Sequence, residues 1–105
     1  MEKGTVMQAS EIVTRKVTVM GKEGLHMRPA AELARLCHEF DGCVRIWKGN
    51  LSSQEEVADA KNIIEILCLA AKPGEALTLE ANGRNAGALL DRLCDVLASY
   101  GTDNL

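Results

Sequence analysis

EGLHMRPAAELARLCHEF, residues 23–40, sets a proline where a helix should be starting and a lone histidine three residues before it. Behind the proline, Ala30, Leu33, Ala34, Cys37 and Phe40 recur at helical spacing and define a core-facing stripe. Arg28, Glu32, Arg35 and Glu39 fall on another face with alternating sign, as on a solvated surface with modest ion pairing. Proline is tolerated in the first turn of a helix, where its missing N–H has no intrahelical partner to lose. A helix beginning at Met27 therefore places Pro29 in its first turn and His26 at the cap. The spacing predicts a helix over 27–40, stopped by Asp41-Gly42.

On either side of this helix the period changes to two. KVTVM (16–20) alternates and is rich in β-branched residues, which predicts a strand, followed by a GKEG turn (21–24). CVRIW (43–47) predicts a second strand. KGNLSSQEE (48–56) is a polar turn, and VADA (57–60) is a short partner strand. NIIEILCLAA (62–71) fits a short helix or a buried strand. Helix is preferred because Asn62 can cap it and Lys72-Pro73-Gly74 stops it. EALTLEA (75–81) alternates as a strand, Asn82-Gly83 turns the chain, and 85–99 form a helix with Leu89, Leu90, Leu93, Cys94, Val96 and Leu97 on its apolar face. The order β-α-β-β-α-β-α lacks strict βα alternation. It predicts an α+β fold, an antiparallel sheet with helices on one side. Residues 1–15 carry little pattern and read as a flexible extension ahead of a domain over 16–105.

Composition narrows the function classes. At 105 residues, 47% hydrophobic and 26% charged, the chain suits one soluble domain with a core of its own. A net charge of −3 argues against nucleic acid as the partner. Residues 1–48 hold eight Lys/Arg against six Asp/Glu, and residues 49–105 hold four against nine, so the basic excess lies in the half with His26. No secretory signal or membrane-length apolar run is visible, which predicts a cytoplasmic protein. Cys37, Cys43, Cys68 and Cys94 form no CxxC pair and are expected as small buried apolar residues in a reducing compartment. No metal-ligand spacing appears.

The cap position of His26 has chemical consequences. The first turn of a helix presents unpaired N–H groups and the positive end of its dipole, a ready anion site. A cation is disfavoured there, which biases imidazole toward its neutral, nucleophilic form. Arg28 adds a planar donor fork suited to phosphoryl oxygens. A neutral imidazole, free helix N–H groups and one guanidinium are what a transient phosphohistidine needs.

These residues are also familiar. GLHMRPAAELA (24–34) closely resembles the active-site signature of HPr, the histidine-containing phosphocarrier family of the phosphoenolpyruvate-dependent phosphotransferase system. VADAKNIIEIL (57–67) and AAKPGEALTLEANG (70–83) resemble later segments of that family, so the likeness spans about 16–99. The resemblance implies an open-faced β-sandwich, a four-stranded antiparallel sheet covered on one face by three helices. It implies that His26 accepts a phosphoryl group on Nδ1 from phospho-enzyme I and passes it to enzyme IIA components of a sugar phosphotransferase system, without a cofactor. Arg28 matches the family's active-site arginine and Pro29 its helix-start proline. Arg35 and His38 fall where the family has basic residues that meet enzyme I. The nitrogen-related branch of the family, and a regulatory binding module that is not phosphorylated, are alternative readings.

Residues 63–70 carry one charge, Glu65. A buried stripe of Ile66, Leu69 and Ala70 leaves Ile63, Ile64 and Leu67, with Met27, as a partner-docking patch. Three features depart from the family pattern. Asn62 stands where many members carry a regulatory serine, the 49–56 connection is longer than usual, and residues 1–15 precede the usual start. A monomer is expected.

Overall fold

The structure, a computed structural model, describes residues 11–49 and 56–103. Among these residues four strands, β1 (Ile12–Thr18), β2 (Gly42–Lys48), β3 (Ala58–Asp59) and β4 (Ala76–Gly83), and three helices, α1 (Met27–His38), α2 (Ile63–Cys68) and α3 (Ala86–Asp103), follow one another in the order β-α-β-β-α-β-α. The strands lie side by side as β1-β4-β2-β3 and all pair antiparallel. This is the open-faced β-sandwich the resemblance implied, and its period-two sequences explain it. Val44 and Ile46 of β2 and Leu77, Leu79 and Ala81 of β4 are buried against the helices. Arg45 and Glu80, one residue out of phase, point the other way and form an ion pair across the register Arg45↔Glu80 at 2.6 Å. The helices complete the core with Ala30 and Leu33 of α1, Ile66 of α2, and Leu90 and Leu93 of α3, each 0% exposed. Burying one such leucine or isoleucine side chain is worth about 2 kcal/mol.

Four expectations are corrected. The first strand starts at Ile12, not Lys16, and ends at Thr18. Residues 12–15 thus belong to the sheet, Ile12 opposite Asn82 and Arg15 opposite Leu79, and are not an extension. The alternation there is half-exposed, because β1 is an edge strand, paired on one side with β4 and covered by α3, and so it is weak in sequence. Second, Asn82-Gly83 is not a turn. Gly83 pairs with Gly42 of β2 and donates its N–H to the Glu11 carbonyl at 2.9 Å, and the chain reverses at Arg84-Asn85 instead. Third, α2 ends at Cys68, and Ala70 is exposed with φ +50, so it belongs to no buried stripe. Fourth, only Cys37 is buried. Cys43 and Cys68 are exposed and Cys94 is half-buried. The remainder of the proposed extension, residues 1–10, and the polar connection over 50–55 lie outside the described residues. Among the described residues no helix is long and apolar enough to cross a membrane.

Candidate functional site

Two tethers fix the loop that delivers His26. Leu25 is buried and donates its N–H to the Ala71 carbonyl at 2.9 Å, joining the loop to the segment after α2. Gly24 permits that approach. It sits at φ +68, and a Cβ there would stand 2.5 Å from the same carbonyl oxygen. The second anchor is Pro29, which is fully buried in the first turn of α1.

Between these anchors His26 is the N-cap of α1, with extended backbone (φ −114, ψ −168). Its carbonyl accepts the first helical hydrogen bond, from Ala30 N–H at 3.1 Å, while its ring makes no capping bond to the turn. A capping serine or aspartate turns its oxygen onto the helix N–H groups. Here the side chain is 28% exposed and reachable from solvent, and those groups stay available to an anion beside it. Glu23 sets Oε1 3.4 Å from Nε2 of the ring. The arginine two residues on shares the turn, as the sequence predicted.

A residue that the sequence reading did not single out completes the arrangement. The guanidinium carbon of Arg28 lies 5.2 Å from the ring centroid of Tyr100, near the end of α3, and the same ring meets His26 edge-on at 6.3 Å and 89°. The signal was present in the periodicity. Leu89, Leu93, Val96 and Tyr100 continue one stripe at spacings of four, three and four. A predicted helix end at residue 99 cut it off.

The other predicted site residues divide. Met27 and Ile64 are 58% and 62% exposed, which fits a docking role. Ile63 and Leu67 are half-buried and pack against the core, so they offer only their edges. Arg35 and His38 are exposed but lie about 14 and 18 Å along α1 from His26, taking about 1.5 Å per residue, and are not part of the same cluster. Arg35 pairs instead with Glu32 at 2.5 Å and Glu39 at 3.8 Å, and its hydrogen bonds hold the Glu32 carboxyl below the usual carboxylate range. Asn62 caps α2, its Oδ1 accepting from Ile64 N–H at 3.0 Å and Glu65 N–H at 3.2 Å. Among the described residues no group of three or more His, Cys, Asp or Glu is placed to hold a metal ion.

Comparison with known proteins gives a consistent picture. A family model described as "PTS HPr component phosphorylation site" matches residues 13–99. "Phosphocarrier protein NPr" of Shewanella violacea is 39% identical over 80 residues, covering 76% of this chain and 82% of that protein. "Phosphocarrier protein HPr" of Haloferax volcanii is 31% identical over 85 residues, covering 81% and 92%. The crystal structure of phosphocarrier protein HPr from Bacillus anthracis superposes with a TM-score of 0.70 at 29% identity, covering 81% of this chain and 95% of that one.

Proposed function

The chain belongs to the HPr family of the phosphotransferase system, and from that premise we propose that His26 is its phosphoryl acceptor, charged by phospho-enzyme I and discharged onto enzyme IIA components. The observation that carries this reading is the uncapped, solvent-reachable ring of His26 at the start of α1 with Arg28 in the same turn. The step balances simply. The Nδ1 lone pair of the neutral ring attacks phosphorus, the new P–N bond forms as the donor's bond to phosphorus breaks, and the proton on Nε2 stays in place. The first-turn N–H groups and Arg28 meet the phosphoryl oxygens. The protein is then a substrate at both ends of the relay, with no cofactor of its own.

Met27 and Ile64 form the exposed apolar part of the docking surface, with the edges of Ile63 and Leu67 beside them, and Arg35 and His38 extend it as a basic flank for enzyme I. The same reading makes the protein a cytoplasmic monomer, which light scattering of the purified chain tests. Asn62 can cap a helix but cannot be phosphorylated, so control through a serine at this position is absent. Incubation with the family's serine kinase and ATP yields no phosphoserine on this reading. Phosphate at any serine, Ser52 and Ser53 included, refutes it.

The decisive experiment is incubation with phosphoenolpyruvate and enzyme I. Acid-labile, alkali-stable phosphate on His26 is expected, and none on a folded His26→Ala variant. Absence of phosphate on the wild type would favour a regulatory binding module, and phosphate on the variant would place the acceptor elsewhere.

A second reading concerns the branch. Identity is 39% to the NPr relative and 31% to the HPr relative, which favours the nitrogen-related branch, where the acceptor is a regulatory protein and no sugar moves. Transfer assays against a sugar-type and a regulatory enzyme IIA separate the two, the faster acceptor identifying the branch.

A further inference from the structure

We propose that Tyr100 is a positioning residue for the phosphoryl site, its ring a platform that holds the Arg28 guanidinium and borders His26; this rests on the carrier reading of His26. Two independent contacts meet on this one side chain. The guanidinium stands 5.2 Å from the ring centroid, within the range of cation–π attraction, and the imidazole meets the ring edge-on at 6.3 Å. Tyr100 arrives from α3, far in sequence from the signature that supplies the histidine and arginine, so the site is assembled from two elements. The groups placed about the imidazole are thus Glu23 at Nε2, Arg28 in its own turn, and Tyr100 from α3.

The sign of the effect follows from the shape of the guanidinium. Attraction to an aromatic ring uses its flat face, whereas its N–H donors point outward in the plane. An arginine resting on a ring therefore keeps its fork free for phosphoryl oxygens. A free arginine side chain loses much rotamer freedom when it is fixed on a ligand. The platform meets part of that cost before the phosphoryl group arrives, which favours transfer. The hydroxyl has no part in this account, so the ring alone should suffice.

The test compares full-length wild type, Y100F and Y100L for phosphorylation by enzyme I and phosphoenolpyruvate. Y100F is expected within about two-fold of wild type, and Y100L slower by about three- to ten-fold, the range of an exposed to partly desolvated cation–π contact. The loss in Y100L should vanish when Arg28 is already alanine, since the two changes remove one interaction. The arginine side-chain protons of Arg28 should also show an upfield ring-current shift by NMR in wild type and Y100F that is missing in Y100L. A merely structural role for the tyrosine would leave the Y100L loss undiminished in the Arg28→Ala background. Y100L transferring at the wild-type rate, an undiminished loss in the Arg28→Ala background, a slow Y100F, or no ring-current shift in the wild type would each overturn the proposal. The shift is measured on the unphosphorylated protein, so it still judges the platform if Y100L does not fold. If wild-type His26 accepts no phosphoryl group at all, the carrier reading fails separately.

Discussion

Glu23 and His26, three residues apart on the loop entering α1, face each other with the carboxylate oxygen 3.4 Å from Nε2. A neutral imidazole carries its one proton on the nitrogen that faces an acceptor, and the other nitrogen keeps its lone pair. A carboxylate facing Nε2 favours the tautomer with its proton there, which on the proposed reading leaves the Nδ1 lone pair for phosphorus. Glu23 is 67% exposed, so solvent screens the pair and the effect is modest. Glu23→Ala should slow phosphorylation of His26 by about two- to five-fold and leave the unfolding midpoint unchanged. The fraction of neutral ring protonated at Nε2, read from nitrogen-15 shifts, should fall. A slower reaction with no change in the tautomer would assign Glu23 to the encounter with enzyme I instead.

Asn62 is a helix cap of measurable worth. It satisfies two N–H groups of a helix only six residues long, which has few other local sources of stability, and its Nδ2 reaches back to Glu65 Oε2 at 3.4 Å. Asn62→Ala should lower the unfolding free energy by about 1 kcal/mol, measured by urea denaturation. Asn62→Ser keeps a capping oxygen and should lie within a few tenths of a kcal/mol of wild type. If the serine variant is as unstable as the alanine one, the cap does not carry the helix.

The four thiols should separate by reactivity. Burial pushes the Cys37 thiol up to about 12, and burial also raises Cys94, whereas Cys43 and Cys68 are exposed. The thiolate is the reactive form. At neutral pH a disulfide reagent should titrate Cys43 and Cys68 rapidly, Cys94 slowly, and Cys37 only on unfolding, as peptide mapping reads. Rapid labelling of Cys37 would mean that α1 opens locally in the native state.

What the sequence disclosed and what it withheld follow from how far each signal reaches. Pro29 after His26 marked the start of α1 to the residue, because first-turn tolerance of proline is a local rule. The strong alternation of 43–47 and 75–81 marked β2 and β4, whose Val44, Ile46, Leu77, Leu79 and Ala81 bury one face against the helices. Ile12–Arg15 were missed because an edge strand buries little and alternates faintly. Asn82-Gly83 carried a strong turn signal, but Gly83 faces Gly42, and a Cβ on Gly42 would stand 2.3 Å from the Asn82 carbonyl oxygen. Glycine there serves a close strand approach. The cap position singled out His26 and Arg28, and the resemblance gave them roles. It could not supply Tyr100 or Glu23, whose places depend on how this chain brings α3 and the entry loop to the site.

The joint between that entry loop and the end of α2 gives the sharpest contrast in backbone chemistry. Gly24 and Ala70 both hold positive φ, at +68 and +50, on either side of the Leu25 N–H to Ala71 carbonyl bond. An L side chain in this region costs about 1–2 kcal/mol, and a glycine costs about 0.5–1 kcal/mol more chain entropy on folding. At Ala70, which is exposed, replacement by glycine relieves the first term and adds the second. Ala70→Gly should therefore stabilise the protein by about 0.5–1 kcal/mol without altering phosphorylation. At Gly24 the balance is reversed and a clash is added, since the new Cβ would meet the Ala71 oxygen at 2.5 Å. Gly24→Ala should cost at least about 2 kcal/mol and, by breaking the tether, lower the rate at which His26 takes a phosphoryl group. Urea denaturation and the enzyme I assay on the two variants read both effects. If Gly24→Ala is as stable and as active as the wild type, the loop is not held in place through Ala71.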